Sequence, residues 1–177
     1  MEDTILSLPD NGPIAFDLID VSVIAVPNIA FLLRTQAARI VANWALRVAT
    51  LPAFRAMPEL ALDDVQRHIP EVLDMALIAI ATSDPTMDPG PLERATDLAR
   101  SHGRDRLLDD FTIGDVMAEF SALRREIWSA IWRVVTETPS SIQFLQELSV
   151  RVGETFDAIS TAAAEAWVDA YAVGAID

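Results

Sequence analysis

Cysteine and lysine are both absent from this chain, and histidine occurs only twice. Without cysteine there are no disulfides, thiolate nucleophiles or thiolate metal sites, and thiol redox sensing is excluded. Without lysine, Schiff-base and amine-nucleophile chemistry lose their usual residue. All thirteen basic residues are arginine, against twenty-seven acids, for a formal net charge of −14. A field of that sign repels phosphate backbones and anionic headgroups, so neither nucleic acid nor a membrane is an expected partner. Long apolar runs are missing too. Val21–Val26 is bounded by Asp20 and Pro27, far short of the ~20 residues that span a bilayer. The first basic residue is Arg34, so the charged start of an export signal is not seen, and a cytoplasmic location is expected.

What is present is apolar and periodic. Hydrophobic residues make up 51% of 177, enough for one domain that buries roughly 70% of its unfolded surface. Residues 1–27, with a Pro9–Pro13 turn cluster between apolar stretches, read as an arm packing across the domain or a second subunit. Residues 28–177 read as helical. Ile29, Leu33, Ala37, Ile40, Trp44, Val48 and Leu51 form one stripe at steps of three and four, with Asn28 as its N-cap and Pro52 as its end. A second helical region runs from about Leu62 to Ser83, with a kink or two abutting helices expected at Pro70. Its tail, Met75–Ala81, is apolar on every face, as in a central or subunit-covered helix.

After the proline-rich loop 83–91, a short helix is expected from Leu92 to Ser101. A long one follows from Thr112, whose hydroxyl can cap the amide of Asp115. The last helix, from about Ser141, carries the heptad seam Val152, Phe156, Ile159, Ala163, Ala166, Ala170 and Val173. These patterns predict an all-α bundle of about five helices with a long C-terminal helix.

Catalytic signatures are missing. There is no G-x-S-x-G, G-x-G-x-x-G or P-loop, and the acid pairs Asp63-Asp64 and Asp109-Asp110 fall at helix starts or in loops. A two-histidine metal site would need carboxylates; Glu71 and Asp64 flank His68, but Arg67 opposes a cation there. No metal and no cofactor are expected. Trp128 and Trp132 lie one turn apart beside the main stripe of the third long helix. They read as core or interface packing, or as one wall of a pocket with Trp44 and Met117.

The most informative segment is His102-x-x-x-Arg106, followed by Thr112-x-x-Asp115-Val116-x-x-Glu119-Phe120-x-x-Leu123-Arg124. His102 and Arg106 share a helical face, and Arg106 can reach Glu119 across the inter-helix turn. This pattern resembles the N-terminal domain of RsbR-type stressosome co-antagonists, also found at the front of bacterial histidine kinases. His68-Ile-Pro-Glu-Val-Leu73 and Trp44 fit the same resemblance, which covers roughly residues 28–170; Gly114 departs from it, at a helix start usually held by a better helix former.

The resemblance implies a helical input domain, with a non-haem globin-like arrangement, that dimerises and signals to a downstream kinase or STAS-like module. The leading expectation is therefore a non-catalytic sensory and dimerisation domain with the C-terminal helix as its output and the heptad seam as its homodimer contact, the competing use of that seam being packing against the third long helix within the chain. The alternative is a small-ligand or haem-binding sensor with His68 or His102 as axial ligand.

Overall fold

The computed structural model describes residues 26–57, 66–82, 88–137 and 141–174. Among them are seven helices and no strand, so the chain is an all-α bundle. We number them α1 (Val26–Thr35), α2 (Ala37–Val48), α3 (Pro52–Arg55), α4 (Ile69–Ala81), α5 (Gly90–Leu108), α6 (Ile113–Glu137) and α7 (Ile142–Gly174). The expected arm falls almost wholly outside the described residues, as do Asp63 and Asp64.

The first apolar stripe is not one helix. Gln36, at φ −105° and ψ 4°, interrupts it, and the Thr35 hydroxyl donates to the Leu32 carbonyl at that end. A break of one residue preserves the phase, so Ile29, Leu33, Ile40, Trp44 and Val48 still share the core. Asn28 is not the N-cap; α1 starts at Val26, with Pro27 in the first turn where its missing amide costs nothing. Of the kink or two abutting helices expected at Pro70, the second fits: a helical residue at Gln66 is followed by a turn, and Pro70 sits in the first turn of α4. The all-apolar segment Met75–Ala81 lies in α4, which α1, α2, α5 and α7 all contact. Ala76, Leu77 and Ile80 are fully buried there, the central position its composition demands.

α5 also departs from expectation, running on to Leu108 instead of ending at Ser101. Gly103, within the continued part, is required by packing. A Cβ at that position would lie 2.2 Å from the Ala163 carbonyl oxygen, so only glycine lets α5 and α7 approach this closely. Ala95 and Ala99 keep the same face of α5 small, and this helix pair has the most extensive contact in the fold.

α5 ends in a left-handed residue, Asp110 at φ 62°. The Phe111 amide donates to the Arg106 carbonyl (2.9 Å) and the Asp110 amide to that of Leu107 (3.1 Å), a Schellman closure. Thr112 then opens α6 with a reciprocal box. Its hydroxyl accepts from the Asp115 amide (3.3 Å), while Asp115 accepts from the Thr112 amide (3.0 Å). That box carries the helix start across Gly114. Ser141 caps α7 through the Phe144 amide (3.1 Å).

Candidate functional site

The tight α5–α6 corner sets the two helices side by side and carries Arg106 back onto Glu119. Glu119 is 0% exposed and Arg106 2%. The guanidinium is forked on the carboxylate, Nε at 3.0 Å from Oε1 and Nη2 at 3.1 Å from Oε2. His102, one turn before Arg106, places Nε2 3.1 Å from Glu119 Oε2. An ionised carboxylate only accepts, so the hydrogen of this bond sits on Nε2. A fourth donor fixes the backbone, the Trp44 indole N–H binding the Glu119 carbonyl at 3.0 Å. Thus α2, α5 and α6 meet at one residue.

Aromatic rings seal the cation. The Arg106 guanidinium lies 5.4 Å from the Phe54 ring centre and 5.2 Å from that of Phe111, and the two rings are 4.5 Å apart. Phe120 packs edge-on against His102 at 5.5 Å. Arg106 also reaches Asp109 at 3.4 Å. Among the described residues, no buried side-chain nitrogen or oxygen lacks a partner, so the network is fully satisfied.

A second, wetter layer adjoins it. Asp105 accepts from Arg67 (3.1 Å) and faces His68 Nε2 (3.0 Å), with the two imidazoles edge to face at 6.2 Å. Burial alone would raise the Asp105 pKa, but the hydrogen bonds and charges of His68 and Arg67 outweigh it and hold the carboxyl below its ordinary value. Around the bundle, Arg47 Nε donates to the buried Glu126 carboxylate at 2.7 Å. Sequence reasoning missed this pair. Its signal was spacing: Glu126 follows Glu119 by seven residues, two turns along one face of α6.

The motif residues do not all converge. His102, Arg106 and Glu119 form the network, whereas Arg124 lies outside it, paired with Asp157 at 3.1 Å on the surface. The residues of the candidate aromatic pocket are divided between the interior and the surface. Trp44 is wholly buried and committed to Glu119, while Met117 and Trp132 are exposed. Trp128 and Trp132 contact each other at 6.5 Å, but the cavities between α4, α5 and α7 are lined by other residues.

The seam also needs correction. Val152, Phe156, Ile159, Ala163 and Ala166 are buried in the chain's own core, because α5 occupies that face of α7. Ala170 is half-buried and Val173 exposed. Both histidines face carboxylates through Nε2, an arrangement that does not favour their use as axial ligands.

Here the charged motif serves the interior of a helical bundle, and the comparison with known families agrees with that class of domain. The chain belongs to the family described as the RsbT co-antagonist protein rsbRD N-terminal domain, whose profile matches residues 37–175. It is thus a stressosome-type regulatory N-terminal domain. No curated protein and no solved structure matches the chain. Among the described residues no helix is long and apolar enough to cross a membrane.

Proposed function

We propose that this chain is a non-catalytic sensory and dimerisation domain of a cytoplasmic signalling protein, a stressosome-type regulator or histidine kinase. It acts on a downstream kinase or STAS-like module through α7. The observation that carries the reading is the sealed Arg106–Glu119–His102 network. His102, Arg106 and Glu119, the central ionisable groups of the family motif, are spent on one another and shielded from water, so they are not presented to a substrate. What they do instead is hold three helices in one arrangement, which suits a part that responds by a shift in packing.

Dimerisation uses the exposed end of α7 rather than the buried part of the heptad seam. On the last turns of α7, Val168, Tyr171 and Val173 remain exposed and apolar, and they form the contact in this reading. Light scattering at micromolar concentration tests it. The expected mass is twice the 19.4 kDa of the chain, and Val168→Glu with Tyr171→Glu should return a folded monomer. A wild-type monomer at every concentration would contradict the dimer. Regulation is tested separately, by whether wild-type chain changes the activity of its downstream module while the Glu119→Gln variant does so differently.

A further inference from the structure

We propose that the α5–α6 corner is a relay through which the state of the buried Glu119–Arg106 pair sets the order of the last turns of α7. The observation behind it is a run of contacts leading from the interior to the helix end. Glu119 holds Arg106, and Arg106 lies 5.2 Å from the Phe111 ring centre. The Phe111 amide is bound to the Arg106 carbonyl at 2.9 Å. Its own carbonyl accepts the Trp167 indole N–H at 2.9 Å. Trp167 stacks on Tyr171, with ring centres 5.2 Å apart and planes at 9°. Tyr171 is 57% exposed. One residue, Phe111, therefore touches both the buried cation and the tail of the long helix.

Two features make this corner responsive rather than merely packed. Asp110 holds a left-handed conformation without being glycine, a strained geometry that its surroundings hold in place. Beyond Trp167, the last residues of α7 are mostly exposed, and the indole hydrogen bond is among the contacts that tie this end of the helix to the bundle. If Arg106 loses the charge of Glu119, the guanidinium moves. Phe111 then turns with it, and its carbonyl leaves the indole. Coupling of this kind needs no rearrangement of the core, only a change at one turn.

The inference deepens the regulatory reading, but its test uses the chain alone. Labelling with 5-fluorotryptophan gives fluorine signals for four tryptophans, and Trp167 is assigned by its loss in Trp167→Phe. In Glu119→Gln the Trp167 signal should shift or split, and amide exchange beyond Ala166 should quicken about tenfold. Glu126→Gln, which alters the other buried carboxylate of α6, should leave both unchanged. A folded Glu119→Gln with wild-type Trp167 signal and exchange, or an equal effect in Glu126→Gln, overturns the relay. If Glu119→Gln does not fold, reciprocity supplies the reverse reading. Trp167→Phe should then move the His102 ring signals; unmoved signals overturn the proposal. No downstream module enters either measurement, so a failed relay leaves the regulatory function standing, and the converse holds.

Discussion

At Glu119 two costs oppose each other. Removing a carboxylate from water is expensive, and a forked guanidinium, an imidazole N–H and complete hydrogen bonding offset that expense. Asp105, one layer out, faces Arg67 and His68. The folded pKa of Asp105 lies below the unfolded value of about 3.9, so its stabilisation is complete above that value and is lost as pH falls through the folded pKa. Denaturant melts of wild type and Asp105→Asn should therefore differ at about pH 6 and converge toward about pH 3; a constant gap would rule out the linkage. Asp110 gives a second prediction. Asp110→Gly removes the left-handed penalty and should raise stability by up to about 1 kcal/mol, after the larger unfolded-state entropy of glycine is subtracted. At this scale the sequence was partly legible. The four-residue step from His102 to Arg106 and the resemblance pointed to Glu119, but nothing local shows that Trp44, seventy-five residues earlier, binds its carbonyl.

Helices differ in what their glycines are for. Gly103 and Gly153 both lie inside long helices, yet an added Cβ meets a backbone oxygen at Gly103 and open space at Gly153. Gly103→Ala must push α5 from α7 and should cost about 1–3 kcal/mol or more. Gly153→Ala should gain about 0.5–1 kcal/mol, since it meets nothing and stiffens the unfolded chain. Thermal melts of the two variants should move in opposite directions; a shared direction would contradict the packing described. The same pair shows why boundaries were only partly readable. A glycine that ends a helix and one that admits a neighbouring helix look alike until the neighbour is placed. Gln36 is harder still, because no proline or glycine marks the break between α1 and α2, and the stripe continues across it in phase. Helix class, the Thr112 cap and the start of α6 were readable, because local chemistry decides them.

For the whole molecule, charge bears on the dimer proposed above. Two chains of −14 repel, so association through the end of α7 should tighten as salt screens that field. Light scattering from low to high ionic strength checks this; a dimer that weakens with salt would mean that ion pairs, not apolar side chains, hold it. The heptad seam misled because a three-four repeat does not say whether its partner helix is in the same chain. Above all, Glu119 and Arg106 form one sealed unit on which the bundle is built. The most direct test of that unit is a denaturant double-mutant cycle with Glu119→Ala, Arg106→Ala and the pair. Each single change should cost about 3–5 kcal/mol, chiefly by stranding the other charge, and the double change should cost clearly less than their sum. Additive effects within about 1 kcal/mol of zero would contradict it.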